Sequence, residues 1–318
     1  MPSRETEPSR VYFDHHLDSA RWQYVPYRRA DIVVATGAKV GTTWTQRILA
    51  ELLAVPAEEA RHASLWVDAR FQPTPVAEIA AMAAGQTRRR FFKSHLPFDA
   101  LPYDPAVKYI AVGRDGRDVA LSLFNHYCGY AANMYIMLNS PPGTFADEFP
   151  KAPSDPHSFI KEWLTRGNRR FPWEKDGYPF WSHFTQIQSF WDQRDLPNVL
   201  LIHYQDMKAD LQGEARRIAL FLDVEPTEAL LDAIAQRCTF DAMKREAMRP
   251  EEHQARSFVW EGGSERFFNK GVSGRWRDVF TSEELALYKT VVESRLSPAC
   301  ARWLEQGRLA SGIDPSNT

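Results

Sequence analysis

Residues 31–49 read DIVVATGAKVGTTWTQRIL. The stretch opens on an apolar, β-branched run, reaches Gly37, and from Thr43 onward suits a helix. Between run and helix lies a short turn with two glycines, Lys39 and the pair Thr42–Thr43. A turn entering a helix presents unpaired backbone N–H groups and the positive end of a helix dipole, which makes it a ready anion site. The glycines let the backbone approach a ligand, Lys39 adds charge, and the threonines add hydroxyls. The bland reading is an ordinary strand–helix turn whose threonine caps the helix. The phosphate-loop form GxxxxGK followed by Ser or Thr is not met, because the lysine precedes the second glycine.

Working outward, four short apolar runs read as buried strands: 32–35, 91–93, 108–112 and 199–203. Helical stretches are clearest at 43–54, 76–84, 118–130, 207–222 and 228–237. Strands alternating with helices predict an α/β fold of three layers, α/β/α, around a mainly parallel sheet. Ligands of such sheets bind beyond the carboxyl ends of the strands. Residues 37–41, 94–95 and 113–114 all fall just past expected strand ends, so three candidate sites converge on one edge. Residues 131–181 are rich in Pro, Gly and aromatics and read as an insertion that caps the sheet edge. Residues 250–280, with EGGSERFFNKGVSGRW, read as a long functional loop.

Composition bounds the rest. The chain has 318 residues, 44% hydrophobic and 25% charged, with a formal net charge of −2. One large globular domain over 1–318 is expected. The overall field gives no reason to expect nucleic-acid binding, so any anion site must be local. No apolar run is long enough to span a bilayer. The start, MPSRETEPSR, lacks the apolar core of a signal peptide and reads as a solvated tail. A cytoplasmic location with Cys128, Cys238 and Cys300 as free buried thiols is the expectation. No histidine or cysteine pair has metal-ligand spacing, so no metal is expected.

Further motifs recur at the same edge. GRDGRDVALSLFNHY (113–127) carries Arg114 after a strand and Ser122 about two turns into a helix. KSHLP (93–97) places His95 just past a strand end. NKGVSGRW (269–276) is another glycine-bearing basic loop. Together these stretches resemble the cytosolic-type sulfotransferases, which bind 3′-phosphoadenosine-5′-phosphosulfate (PAPS). GAKVGTTW resembles their PKSGTTW, GRDGRDVALS their RNPKDVAVS, KSHLP their KTHLP, and FFNKGVSGRW their RKGxxGDW. YQDMKAD (204–210) and TFDAMK (239–244) also resemble segments of that family. The order is collinear from about residue 30 to 280.

The resemblance implies a P-loop-like fold, a PAPS co-substrate and sulfuryl transfer to a small hydroxyl acceptor. Lys39, Gly41, Thr42 and Thr43 would hold the 5′-phosphosulfate. Trp44 and Phe240 would sandwich adenine, with Tyr204 and Thr239 at its edge. Arg114, Ser122, Lys270 and Gly271 would hold the 3′-phosphate, with Asn269 beside them. His95 would be the general base and Lys93 would lie beside the sulfuryl group. Tyr127, Tyr130, Met134 and Tyr135, at near-helical spacing, are candidate acceptor walls, with core packing the alternative. Rival readings are a small-molecule P-loop kinase, which needs magnesium ligands, and a non-catalytic nucleotide-binding protein of the same fold.

Three departures stand out. Val40 replaces the family's serine. Asn269 replaces the arginine expected before Lys270, a gap that Arg266 or Arg275 could fill. Of the dimer pattern KxxxTVxxxE, Arg277 and Thr281 fit but Ser282 and Ala286 do not, which leaves the oligomeric state open.

Overall fold

The computed structural model describes residues 7–56, 59–60 and 63–316. Five strands, β1 (Ile32–Ala35), β2 (Ser64–Trp66), β3 (Phe91–Ser94), β4 (Lys108–Gly113) and β5 (Val199–His203), form one sheet in the order β2-β3-β1-β4-β5. Every pairing is parallel, and Ile32 stands opposite Phe91 on one side and Lys108 on the other. β1 is buried along its whole length, as a central parallel strand covered on both faces must be. Strand order reverses at β1/β4, the position where such sheets open a ligand crevice. The buried Arg90 guanidinium clamps Asp31 at the opposite end, joining β1 to β3.

The helices are α1 (Thr42–Leu52), α2 (Val76–Gly85), α3 (Gly116–Cys128), α4 (Ala132–Leu138), α5 (Pro156–Thr165), α6 (His183–Trp191), α7 (Tyr204–Ala209), α8 (Leu211–Phe221), α9 (Glu228–Arg237), α10 (Phe240–Ala247), α11 (Pro250–Ser257), α12 (Gly263–Phe267), α13 (Ser282–Arg295) and α14 (Pro298–Ser311). α14 lies against β4, where Trp303 fills the space a Cβ on Gly113 would need, its ring atoms lying 2.4 Å from that point. Only glycine lets the chain leave β4 there, and that exit aims Arg114.

The sequence reading differs from this fold in three places. β2 has only three residues, too short for a periodicity signal. The expected 207–222 helix is two helices, because the Asp210 carboxylate accepts the Gly213 N–H and starts α8 anew. Residues 250–280 are not one loop: α11, α12 and a 3-10 turn (Arg275–Asp278) occupy much of them. The 131–181 insertion contains α4 and α5 and sends Phe149, Phe159, Trp163, Phe171 and Phe180 into the core. Of the expected tail, residues 1–6 lie outside the described residues, while the Ser9 and Arg10 N–H groups donate to Asp99 O. Cys238 and Cys300 are buried free thiols, whereas Cys128 is exposed. Among the described residues no helix is long and apolar enough to cross a membrane.

Candidate active site

The carboxyl ends of β1, β3, β4 and β5 open onto one cleft of about 420 Å³. At its floor the chain leaves β1 through the 37–41 turn. Gly41 caps α1 with φ 116°, a left-handed conformation that suits glycine, and no side chain caps the helix. The first N–H groups of an 11-residue helix therefore lack a side-chain partner and border the cleft. Thr42 does not cap: its hydroxyl is paired with that of Thr36 at 2.6 Å. A Cβ on Gly41 would stand 3.2 Å from the Tyr204 ring, so the turn is packed tightly against the start of α7. Val40, at the serine position, is fully buried and takes no part in the cleft lining.

Positive charge gathers here although the molecule as a whole is slightly negative. Lys39, Lys93, Arg114, Lys208, Lys270 and Arg275 line the cleft, against one carboxylate among the described residues, Asp118. That carboxylate already accepts the Gly274 N–H. Arg114 donates to Lys39 O at 2.8 Å and lies over the Tyr204 ring at 4.2 Å, and its Nε has no partner among the described residues. Lys39 Nζ stands 3.4 Å from His126 Nδ1 and 4.5 Å from the Phe267 ring centre. Burial, with repulsion from Arg114 and Lys93, pushes the Lys39 ammonium down to about 7. Burial likewise takes Lys93, over the Trp66 ring at 3.6 Å, down to about 8. Ammonium groups held this far below their usual value gain most from an incoming anion.

His95 sits between two indoles, edge-on to Trp66 at 4.9 Å and stacked on Trp181 at 5.1 Å. Its Nδ1 lies 2.8 Å from Thr36 O. A carbonyl can only accept, so Nδ1 carries the proton and Nε2 keeps its lone pair. Burial, and Lys93 next, hold the imidazole well below its ordinary value, so it is neutral at neutral pH. From His95 the wall continues through Trp181, Phe180, His16, Phe71, Tyr130 and Met134, an aromatic half beside the basic half.

Of the sequence candidates, Lys39, Gly41, Thr42, Thr43, Trp44, Lys93, His95, Arg114, Ser122, Tyr130, Met134, Tyr204, Phe240, Asn269, Lys270 and Gly271 all line this cleft. Tyr127, Tyr135 and Thr239 do not. Tyr127 is 1% exposed and donates its hydroxyl to Pro150 O at 2.6 Å, packed among Phe149, Phe159 and Phe180. Tyr135 is half-buried beneath the Lys151 ammonium. Thr239 caps α10, its hydroxyl accepting the Ala242 N–H. Gly271, at φ 64°, lets the basic loop touch the Phe240 ring, where a Cβ would come within 2.8 Å. Residues the sequence reading missed include His16, His126, Trp181, Trp260 and Phe267, while Arg275, one of the two arginines offered for the gap at Asn269, lines the cleft. Among the described residues no group of three or more His, Cys, Asp or Glu side chains is placed to hold a metal ion.

A parallel sheet with an uncapped helix start, a lysine-bearing turn and a basic cleft places the protein among the α/β proteins that bind an anion at the strand ends. Residues 29–299 match the sulfotransferase domain. A glycolipid sulfotransferase of Mycobacterium bovis is 31% identical, with 96% of this chain and 97% of that protein aligned. Sulfotransferase 1E1 of Cavia porcellus is 27% identical over 80% of this chain and 79% of its own. Retinol dehydratase, solved with androsterone and the inactive cofactor PAP, shares the fold at TM-score 0.67 and 22% identity, over 89% of this chain and 87% of its own. Mouse sulfotransferase SULT7A1, solved with PAP, does so at TM-score 0.65 and 20% identity, over 94% and 98%. The chain belongs to the sulfotransferase family and is a sulfotransferase.

Proposed function

We propose that this enzyme moves the sulfuryl group of PAPS to a hydroxyl of an apolar acceptor, with His95 as general base. One observation carries the reading: His95 spends its Nδ1 proton on Thr36 O, which leaves Nε2 as a lone pair in the cleft that also holds Lys39 and Lys93. An acceptor hydroxyl at Nε2 loses its proton as it attacks sulfur; the S–O bond to the phosphate breaks and charge passes to the leaving oxygen. Lys39 and the N–H groups at the start of α1 meet that charge, and Lys93 lies beside the transferring group. Trp44, Phe240 and Tyr204 suit a flat base, and Arg114, Ser122, Lys270 and Gly271 suit the 3′-phosphate. The unpartnered Arg114 Nε and Trp44 Nε1 atoms support such a fit. The aromatic half favours an apolar acceptor, and the glycolipid activity named for the mycobacterial relative makes hydroxylated lipids the first class to try. Labelled PAPS offered with glycolipids, sterols and phenols tests this. Tight binding of PAP (the desulfated cofactor) without transfer to any of them would favour a non-catalytic nucleotide-binding protein.

Lys39 and Lys93 give the binding a proton signature. An anion beside an ammonium raises its pKa above the free-enzyme value of about 7 or 8. Above those values the free lysines are neutral, so binding must take up protons and affinity must fall as pH rises. Calorimetry of PAP binding at about pH 8, in buffers of different ionisation enthalpy, is expected to show an uptake of about one proton. Zero uptake would mean that neither lysine meets the anion.

The missing arginine at Asn269 has a substitute. Arg266 is committed to Asn125 O at 2.9 Å, whereas Arg275 lines the cleft and its side chain forms no hydrogen bond or ion pair among the described residues. Arg275 is therefore assigned to the 3′-phosphate. Arg275→Ala is expected to weaken PAP binding about tenfold, as loss of one charge-assisted hydrogen bond does. Asn269→Arg should then gain little. A large gain from Asn269→Arg with no loss from Arg275→Ala would reverse the assignment.

A further inference from the structure

Among the described residues His16 has no hydrogen-bond partner for either ring nitrogen, and it is 2% exposed. A neutral imidazole carries one N–H donor and one lone pair, and burial holds this one neutral, its pKa lowered to about 3. Four aromatic rings surround it: Phe149 at 4.8 Å, Phe180 at 5.2 Å, Trp181 at 5.7 Å and Phe71 at 5.8 Å. None of these contacts is a hydrogen bond to either nitrogen; both nitrogens are covered, and the residue itself is part of the cleft wall.

The segment holding His16 is fixed rather than loose. The Asp14 carboxylate accepts the His16 and Leu17 N–H groups at 2.8 and 2.7 Å, and Asn168 Nδ2 donates to the same carboxylate at 2.7 Å. The Arg70 N–H donates to His16 O at 2.8 Å. A buried polar ring that the fold anchors but leaves unsatisfied fits a ligand group better than it fits packing. His16 and His95 contact the same Trp181 indole, so a molecule against that indole can reach both imidazoles.

We propose that His16 binds a second oxygen of the acceptor, a neighbouring hydroxyl of a polyol or sugar head group, while the reacting hydroxyl lies at His95. This rests on the acceptor reading above. His16 is thereby a specificity residue: it selects polyhydroxylated lipids over simple alcohols of equal apolar length, because an acceptor without the second oxygen leaves the ring unpaired.

The test uses octyl glucoside and octanol as probes, with PAP-loaded enzyme and calorimetry, so that binding is read without turnover. The wild type is expected to prefer octyl glucoside by about tenfold or more, the value of a buried hydrogen bond. His16→Phe fills the aromatic box without polar atoms and should bring the preference close to one, with PAP affinity unchanged. His16→Gln keeps a donor and an acceptor and should restore part of it. Thermal unfolding of both variants checks that each is folded. A wild type without preference, or a preference that survives in His16→Phe, overturns the proposal. Sulfation of the same probes is scored separately: binding with the expected preference but no transfer would count against the transferase reading and leave the His16 assignment standing.

Discussion

His95→Ala is expected to lower kcat by about 10²–10⁴-fold, the usual contribution of a positioned general base. That corresponds to roughly 3–5.5 kcal/mol of barrier. PAP affinity should change little, because the lysines, Arg114 and the 37–43 turn surround the anion end while His95 sits between Trp66 and Trp181. His95→Asn is the sharper variant: its amide can still donate to Thr36 O but offers no basic lone pair, so its rate should match that of alanine. The pH profile carries a second signature. Because the imidazole is held well below its ordinary value, the acid limb of kcat/KM should lie below pH ~6.5, the reference histidine value. Activity falls as pH drops through that lowered value, when the base is protonated, and is unaffected by His95 above it. An alanine variant within about threefold of the wild type, a margin well inside that range, would remove His95 from the mechanism.

What the sequence made legible was local. The β1–turn–α1 junction, the KSHLP corner and Arg114 each announce themselves within a few residues, since strand ends and helix starts are set by short-range chemistry. The parallel order then brings them together without further information. The acceptor side was less legible because it is made by side chains distant in sequence. His16 lies in FDHHLDS, which has no periodicity, 79 residues before His95 (95 − 16). Tyr127 failed for a geometric reason. Each helical residue turns by about 100°, so the face that carries Ser122 into the cleft continues to His126, four residues on, and Tyr127 points into the core instead. Counting by four from Ser122 would have found His126, the group beside Lys39. Thr239 lost its expected place to capping: threonine before a helix more often serves the backbone than a ligand.

Lys39→Ala should cost more in rate than in binding. Lys39 Nζ is held at the anion end by His126 Nδ1 and the Phe267 ring, and its pKa of about 7 leaves it partly neutral in the free enzyme. An ammonium so depressed gains stability as negative charge grows beside it. That growth is greatest when the sulfuryl group departs and the leaving oxygen takes the electrons, so the interaction strengthens toward the transition state. Removing one such preorganised partner typically costs about 10²–10³ in kcat. The substitution adds no new backbone strain, because Lys39 and an alanine at the same φ of 64° both carry a Cβ. Lys39→Gly controls for that: it relieves the left-handed conformation and should be equally slow. Lys39→Arg keeps the charge but moves it, and should recover affinity more than rate, since a planar guanidinium does not reproduce an ammonium point charge. The measurement is kcat at saturating PAPS together with the Kd of PAP for all three variants. Unchanged kcat with weakened PAPS and PAP binding alike would make Lys39 an anchor for the ground state and assign the leaving-oxygen charge to Lys93 and the N–H groups of α1.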